Sequence, residues 1–441
     1  MYSELLSPAG SLRNMRYAFA YGADAVYAGQ PRYSLRVRNN EFKDLETLAT
    51  GINEAHALGK QFYLASNVSP HNDKVRSYLR DLEPVIELGP DALIMADPGL
   101  MMLVRERWPD LPIHLSVQAN AVNWATVKFW YQNGIRRVIL SRELSLDEIE
   151  EIRQRVPEME LEVFVHGALC IAYSGRCLLS GYMNHRDPNQ GACTNACRWE
   201  YQAHEAKEDE TGDLIAVQSF DPPPVAANPD PVLLQQAQRP GEYMPAYEDE
   251  HGTYIMNSKD LRAVQHVQRL QEMGIHSLKI EGRTKSHYYV ARTAQVYRRA
   301  IDDAAAGKPF DMGLMDELET LANRGYTEGF YRRHPPKDYQ SYEQGSNPAQ
   351  RQQFVAEVAK VDGEDLILDV KNRFALGDEL LLMSPAGNRR FQLGSLLDKN
   401  RRAIEVAPGS GHRVRLPMGE ALDEKALRFG LLVKDIRAAD C

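Results

Sequence analysis

Short apolar runs alternate with amphipathic segments through the first 300 residues of the chain. Runs such as ALIMA and VFV are typical of parallel strands that are buried on both faces, whereas Leu45–Leu58 and Leu146–Arg155 show helical spacing. The predicted strands are Glu4–Ser7, Ala25–Ala28, Gln61–Ser66, Ala92–Ala96, Ile113–Val117, Arg137–Leu140, Leu161–Val165 and Ser277–Ile280. Eight strand–helix units of this length predict a TIM-type (β/α)8 barrel. Periodicity leaves a doubly wound open sheet as the alternative.

The last strand–helix unit is interrupted by an insertion of more than 100 residues. It contains a cysteine cluster at 168–200 and then an acidic, proline-rich insert at 204–250. This insert holds 11 acidic residues, 2 basic residues and seven prolines. Such a composition predicts a mobile loop without a rigid packed core.

The pattern changes again toward the C-terminus. A helix is predicted from Ser286 to Ala305, with its apolar side toward the barrel and with Arg292, Arg298 and Arg299 on other faces. Beyond it, alternating β-type residues flank a tight turn at Asp362-Gly363. The prediction is therefore a barrel domain at 1–340, a linker at 341–352 and a small antiparallel β-barrel domain at 353–441.

Overall composition is that of an ordinary globular protein, with 43% hydrophobic and 26% charged residues. The acidic insert alone carries the formal net charge of -9, so the rest of the chain is neutral. A uniformly basic nucleic-acid binder is thereby excluded, although local basic patches could hold phosphates. With no basic leader and no apolar run of membrane-spanning length, the expected location is the cytoplasm and no membrane partner is expected.

Four of the five cysteines fall within 28 residues, with the spacing C-x6-C-x15-C-x3-C. They are Cys170, Cys177, Cys193 and Cys197. In a reducing compartment, clustered cysteines are metal ligands more often than disulfides, and four thiolates suit either zinc or an iron–sulfur cluster. Zinc sites usually consist of two tight pairs and only one pair is tight here, but the spacing leaves both metals open. Because Cys170 follows the seventh strand, the cluster is expected at the barrel mouth.

Polar side chains follow several other predicted strands, where a barrel carries its active site. The candidate substrate-binding residues are Arg32, Arg36 and Arg38 after the second strand, Gln118 and Asn120 after the fifth, Arg142 after the sixth, His166 at the end of the seventh, and Glu281, Arg283 and Lys285 after the eighth. Arginine forks suit phosphates and carboxylates, and amides can orient a planar polar substrate. The segment SPAGS at 7–11 is interpreted as a strand–helix turn capped by Ser11, with phosphate contact as the alternative.

Standard hydrolase and nucleotide-binding motifs are missing from the sequence: it has no HExxH, GxSxG or P-loop pattern. A Cys170 nucleophile paired with His166 is a weak alternative, because such pairs usually come from separate elements and nothing marks a third, orienting residue. His166 is instead expected to form hydrogen bonds near the mouth.

Several segments resemble a known family. EVFVHGALCIAYSGRCLLS at 162–180 closely resembles the signature of the collagenase-like peptidase family, number thirty-two in the unassigned class. GACTNACRWEY, NSKDL, KIEGR, LLSPAGS and GADAVYAG are also similar to segments of that family. The resemblance covers nearly the whole chain and is greatest to members that act on tRNA.

The resemblance implies a role in forming 5-hydroxyuridine at the wobble position of tRNA, by an oxygen-independent route that depends on prephenate. It also implies an iron–sulfur cluster, of the 4Fe-4S type, held by the four clustered cysteines. The C-terminal domain is similar to the translation-factor-like β-barrel of the family, which is associated with RNA partners. The leading hypothesis is thus a tRNA-modifying enzyme, and the alternatives are a collagenase-like peptidase or a non-catalytic scaffold that delivers tRNA or a cluster.

Overall fold

The computed structural model describes residues 2–35, 40–169, 260–323, 325–332 and 352–436, with the backbone of short strands in 206–258 and at 340–341. Its first part is a barrel of eight parallel strands. They are Glu4–Pro8, Ala25–Gly29, Gln61–Ser66, Ala92–Met95, Ile113–Leu115, Arg137–Ile139, Glu160–Ala168 and Ser277–Ile280. The eighth strand pairs with both the first and the seventh, which closes the barrel. The predicted TIM-type barrel is confirmed, and the open sheet is excluded.

Helices surround the barrel, and most begin at a side chain that accepts a hydrogen bond from the first helical turn. Ser11, Asp44, Asp97, Ser145 and Ser286 act in this way. The helices of this domain are Leu12–Ala20, Leu45–Ala57, Asn72–Ile86, Pro98–Arg107, Trp124–Gln132, Leu146–Arg155, Val267–Glu272, His287–Ala305 and Gly313–Glu319, with 3-10 turns at Val117–Ala119 and Val264–His266. Across the described residues, no helix combines the length and the apolar character needed to cross a membrane.

Strand alternation places polar side chains inside the barrel. In the seventh strand, Glu160, Glu162 and Phe164 lie on the inner face, while Leu161 and Val163 pack into the core on the other face. Barrel interiors are usually filled by branched apolar residues, so buried carboxylates in this position require partners.

Additional strands extend the sheet beside the seventh barrel strand. Asp260–Arg262 pairs antiparallel with it, and Tyr326–Thr327 pairs with Asp260–Arg262. The insertion contains further strands: Ala206–Glu208 with Leu214–Ala216, Val232–Gln235 with Tyr243–Asp249 and Gly252–Tyr254, and Asn257–Ser258 with Gln340–Ser341. Part of the acidic insert is therefore antiparallel β-structure rather than the predicted loop.

The C-terminal domain is an antiparallel β-structure with its own apolar core, as predicted. Its strands are Gln352–Asp362, Asp365–Val370, Phe374–Ala375, Glu379–Ser384, Gly387–Gln392, Val406–Ala407, Arg413–Pro417 and Leu431–Asp435, with a short helix at Glu424–Leu427. Six of these strands form one sheet, and Phe374–Ala375 pairs with Val406–Ala407. Most of the predicted linker 341–352 lies outside the described residues.

The C-terminal domain packs directly against the barrel helices. Leu381, Met383, Leu431 and Val433 join the hydrophobic core of the barrel domain. Arg292, predicted on a face away from the barrel, is only 1% exposed because the domain covers it. Its guanidinium forms an ion pair with Glu317 at 3.1 Å and donates to Gln352.

Candidate functional site at the barrel mouth

A cavity of about 120 Å³ opens at the carboxyl ends of the barrel strands. Its apolar walls include Tyr27, Leu35, Ile94, Ile139 and Phe164. Its polar lining consists of Asn67, Ser116, Gln118, Arg142, Lys279, Glu281 and Arg283. The volume is close to that of an engineered cavity of about 150 Å³ that holds benzene, so this one accommodates a ring-sized group.

The amide of Gln118 has a defined orientation in this cavity. The backbone N–H of Leu35 donates to Oδ1 of Asn67 at 3.4 Å, which turns Nδ2 of Asn67 toward Oε1 of Gln118 at 2.6 Å. The hydroxyl of Ser116 donates to the same Oε1 at 3.3 Å. Because a backbone N–H can only donate, this chain of bonds fixes which end of the Gln118 amide is the oxygen.

Lys279 forms the floor of the cavity. It comes from the eighth strand, is 3% exposed, and its Nζ lies 2.8 Å from Oε1 of Glu162. The ammonium also lies 4.3 Å from the ring centre of Tyr27. Burial lowers the pKa of Lys279, and the neighbouring Glu162 carboxylate opposes that shift.

Two arginines occupy the rim. The guanidinium of Arg142 stacks on Phe164 at 4.0 Å and donates to the carbonyl of Ala168 at 2.6 Å. Arg283 donates to the hydroxyl of Ser34 at 2.9 Å. Together with Lys279 and Glu281 they give the cavity lining a formal charge of +2, which the Glu162 carboxylate beside Lys279 reduces to +1.

The loop that carries Arg283 is held by close backbone approaches. A Cβ on Gly10 would lie 2.0 Å from the carbonyl oxygen of Arg283. A Cβ on Gly167, whose φ is +103°, would lie 2.4 Å from the carbonyl oxygen of Glu281. Only glycine permits both contacts, so the strand–helix turn at 7–11 positions the 281–283 loop.

Beneath the cavity, at the amino ends of the strands, lies an ionic cluster of Glu4, Arg137, Glu160 and Glu162. The Arg137 guanidinium contacts Glu4 at 2.7 Å, Glu160 at 3.0 Å and Glu162 at 3.3 Å. Arg137 is 6% exposed and Glu162 is fully buried. Each carboxylate of this cluster therefore has a charged partner, as burial requires.

His166 lies behind the cavity wall rather than in the cavity. Its ring packs against Tyr289, Tyr297 and Tyr326 at 5.5 to 5.8 Å, and its Nδ1 lies 3.4 Å from the hydroxyl of Tyr297. Burial, with a smaller contribution from Arg262, lowers the pKa of His166 to about 3. Its buried Nε2 has no hydrogen-bond partner within the described part of the chain.

The predicted site residues separate into groups. Gln118, Arg142, Glu281 and Arg283 line the mouth cavity together. Lys285 lines an adjoining groove with Arg13 and Arg283, and its ammonium lies 5.3 Å from the ring centre of Tyr289.

The remaining predicted residues lie elsewhere. Asn120 follows the 3-10 turn with a left-handed backbone, at φ 50°, and is not in the lining. Arg32 lies outside the cavity and forms an ion pair with Asp81 at 2.5 Å. Arg36 and Arg38 are outside the described residues.

Cys170, Cys177, Cys193 and Cys197 also lie outside the described residues. The seventh strand ends at Ala168, at the carboxyl end of the barrel and two positions before Cys170. Within the described ranges, no group of three or more potential ligands could hold a metal ion. Four thiols that follow a strand at the mouth have the donor chemistry that an iron–sulfur cluster requires.

Three lining residues were not singled out by sequence reasoning: Lys279, Asn67 and Ser116. Lys279 had a signal, because a lysine inside the otherwise apolar, buried strand SLKI needs a partner or a function. Asn67 and Ser116 had none, since short polar residues after strands are ordinary loop composition.

The fold and this site define a class: an α/β barrel with a polar, cationic cavity at its mouth. The chain belongs to the peptidase family U32, whose family model matches residues 10–341, and the model of the peptidase family U32 C-terminal domain matches residues 350–428. The predicted family is thereby confirmed.

Three relatives are informative. The chain is 64% identical to "tRNA hydroxylation protein P" of Escherichia coli (strain K12), over 98% of this chain and 96% of that protein. It is 60% identical to the protein of the same name from Haemophilus influenzae, over the same shares of both chains. It is 29% identical to the Escherichia coli "23S rRNA 5-hydroxycytidine C2501 synthase", over 78% of this chain and 44% of that protein.

Proposed function

We propose that this protein acts in tRNA hydroxylation and is needed to form 5-hydroxyuridine at the wobble uridine. The observation that carries the proposal is the 64% identity, over nearly the full length of both chains, to a tRNA hydroxylation protein. The finer proposal, which rests on the family resemblance, is an oxygen-independent, prephenate-dependent route that uses an iron–sulfur cluster.

The barrel mouth supports this role because enzymes that modify a base must take it out of its stack. A cavity of about 120 Å³ with a cationic rim suits reactants of ring size. The adjoining groove with Lys285 and Arg13 is a candidate for RNA phosphates. We also propose that the remaining candidates contact the larger substrate or support the site. They are Arg32, Arg36, Arg38, Asn120 and His166.

In this proposal Cys170, Cys177, Cys193 and Cys197 hold a 4Fe-4S cluster, and zinc is the runner-up. The cluster would supply one-electron chemistry that protein side chains lack. The protein's own described residues would bind and orient the reactants: Arg142, Lys279 and Arg283 through charge, and Gln118 through its fixed amide.

Nucleoside mass spectrometry of bulk tRNA tests the proposal. A strain that lacks the protein should lose 5-hydroxyuridine and its derivatives, with and without oxygen, and the wild-type gene should restore them. The Cys193→Ala variant should restore neither the nucleoside nor the iron and acid-labile sulfide of the purified protein. Cys441→Ala, which alters the one cysteine outside the cluster, is the matched control and should restore both. Full modification by Cys193→Ala would refute the role of the cluster.

Peptidase activity is the second candidate, because the family description carries that word. The serine hydroxyl in the cavity lining, on Ser116, bonds to Gln118 rather than to a base, which disfavours a serine nucleophile. Gelatin cleavage by protein free of contaminants, with tRNA nucleosides unchanged in the deletion strain, would favour the peptidase over the hydroxylation role.

A further inference from the structure

We infer that the RNA backbone binds across the junction of the two domains, on a basic surface formed by Arg13, Lys285 and Lys371. This junction surface combines two residues of the barrel domain with one residue of the C-terminal domain, and its ligand is the phosphate backbone of an RNA strand. The inference deepens the proposed function and rests on it, because the RNA is taken to be the tRNA that is modified.

The first argument is position. A groove of about 470 Å³ adjoins the mouth cavity, and Arg283 lines both of them. Arg13 and Lys285 line the same groove. The side-chain Nδ2 of Asn14 donates to the carbonyl of Lys285 at 3.0 Å, so the first barrel helix and the loop after the eighth strand are fixed to each other. A nucleotide whose base reaches the mouth cavity therefore has its phosphates beside this groove.

The second argument is the contribution of the C-terminal domain. Glu357 lies in the strand Gln352–Asp362 of that domain, and its Oε2 forms an ion pair with Arg13 of the barrel domain. Its Oε1 forms a second ion pair, with Nζ of Lys371 at 2.8 Å. One carboxylate thus places a cation of each domain side by side, and the charged surface continues from the groove onto the C-terminal domain.

The third argument is net charge, counted over the groove lining and the ion pairs at the junction. Four cations and two carboxylates give these residues a formal charge of +2. His287 beside them is neutral at pH 7, because burial lowers its pKa to about 4. Phosphate oxygen atoms form charge-assisted hydrogen bonds with such cations. The cations are Arg13, Arg283, Lys285 and Lys371, and the carboxylates are Glu41 and Glu357.

The fourth argument is accessibility. The side chains of Arg13 and Lys371 are 47% and 33% exposed, whereas that of Glu357 is 13% exposed. A phosphate from solvent therefore reaches the two cations more easily than it meets the carboxylate that holds them. Glu357 is a positioning residue in this arrangement, and its negative charge opposes the binding of RNA. An ion pair that only joins the two domains is the alternative, and it predicts a different result when this charge is removed.

The test is RNA binding by the purified full-length protein, followed by the fluorescence anisotropy of a labelled anticodon stem–loop. Each phosphate contact contributes about 0.7 to 0.9 to the slope of log affinity against log salt concentration. Arg13→Ala, Lys285→Ala and Lys371→Ala should each reduce the slope by about that amount. The loss of affinity should consequently be about threefold larger at about 50 mM salt than at about 200 mM salt.

Two variants serve as matched controls. Arg16→Ala lies one turn further along the same helix as Arg13, at a similarly exposed arginine that is also paired with a carboxylate, Glu54. Lys308→Ala is the control for Lys371→Ala, because the Lys308 ammonium also lies 2.8 Å from a carboxylate, Asp303. Neither control should change the RNA affinity or its salt dependence.

Glu357→Gln separates RNA binding from a purely structural ion pair. The amide keeps the shape of the side chain and removes its negative charge, so RNA should bind more tightly than to the wild-type protein. The gain should be larger at low salt, because it is electrostatic. If the ion pairs only join the two domains, the same change should lower stability and leave RNA affinity unchanged.

Several results would overturn the inference. One is an RNA affinity of Arg13→Ala equal to that of Arg16→Ala, and another is unchanged or weaker RNA binding by a folded Glu357→Gln protein. Failure of the wild-type protein to bind the stem–loop would also refute it. Displacement of the RNA by inorganic phosphate at equal ionic strength would assign the surface to a small phosphate ligand. Should Arg13→Ala fail to fold, Lys371→Ala against Lys308→Ala gives the same comparison.

Failure of the proposed function gives a different pattern. RNA binding that depends on Arg13 and Lys371, combined with normal tRNA nucleosides in the deletion strain, would retain the junction surface and refute the hydroxylation role. Loss of 5-hydroxyuridine in the deletion strain, with equal RNA binding by Arg13→Ala and Arg16→Ala, would do the reverse.

Discussion

Both ends of the barrel interior carry buried charged side chains, but the two ends differ in how these charges are paired. At the amino ends of the strands, Arg137 of the ionic cluster is surrounded by Glu4, Glu160 and Glu162, all within 3.3 Å. At the carboxyl ends, Lys279 has one carboxylate partner among the described residues, Glu162, and lines the mouth cavity. The charges at the amino ends are buried and paired with one another, whereas those at the carboxyl ends line a cavity that is open to solvent.

This difference distinguishes charged groups with a structural role from charged groups with a functional role, and it needs no sequence motif. A buried charge is stable only when it is paired, so removing one member of the ionic cluster is expected to destabilise the barrel. Charged side chains at the mouth are tolerated because the cavity is open to solvent and can receive a ligand. Changes at the ionic cluster should mainly affect stability, and changes at the mouth should mainly affect binding.

The largest effect is expected at the ionic cluster. Arg137→Met leaves the half-buried Glu4 without its cation and removes one cation from Glu160 and Glu162, so it should lower the free energy of unfolding by about 3–5 kcal/mol. Chemical denaturation measures this loss of unfolding free energy. The control is Arg107→Met, at an exposed arginine paired with Glu83, which should change stability by less than about 1 kcal/mol. A loss in Arg137→Met no greater than in the control would remove the structural assignment of the cluster.

A smaller effect is expected where the turn at Gly10 supports the mouth. Gly10→Ala places a methyl group against the carbonyl of Arg283 and should cost about 1–3 kcal/mol, because the backbone has to shift. Gly394→Ala is the control, because its added Cβ meets nothing within 4 Å. Unchanged stability in Gly10→Ala would show that the loop is not held by this contact.

The next effect is the pH dependence of stability caused by His114. His114 packs edge-on against Tyr63 at 4.7 Å beside the ionic cluster, and burial, with Arg137, Lys279 and Arg136 contributing, lowers its pKa well below 6.5. The unfolded chain therefore takes up this proton first as the pH falls below about 6.5, and stability should decline by up to about 1.4 kcal/mol per pH unit. In His114→Phe the decline should be shallower by that amount, as measured by denaturation between pH 7 and pH 5. Equal slopes in both proteins would contradict the assignment.

The smallest effect is expected at Arg32, outside the cavity. Its pair with Asp81 is exposed at the arginine, with 62% of that side chain accessible, so Arg32→Ala should change stability by less than about 1 kcal/mol. Binding of an anticodon stem–loop RNA tests whether Arg32 contacts phosphate. RNA affinity of Arg32→Ala equal to that of the wild-type protein would refute such a contact.

The sequence alone determined the strands of the barrel and the antiparallel β-structure that follows it. Runs such as ALIMA are buried on both faces of a parallel sheet, so their position in the chain is enough to locate them. The seventh and eighth strands were found in the same way, despite the long insertion between them. Polar residues after strands also indicated four members of the cavity lining, because the carboxyl ends of barrel strands meet at one mouth.

Tertiary structure decided which of these side chains are satisfied and which are available. Lys279 meets Glu162 from 117 positions away, and Gln118 is oriented by Asn67 from 51 positions away. Arg292 is buried because a second domain covers it, and Arg32 lies outside the cavity, where it pairs with Asp81. Local sequence sets periodicity and caps, whereas the partner of a charged group depends on which distant strand the closed barrel brings beside it.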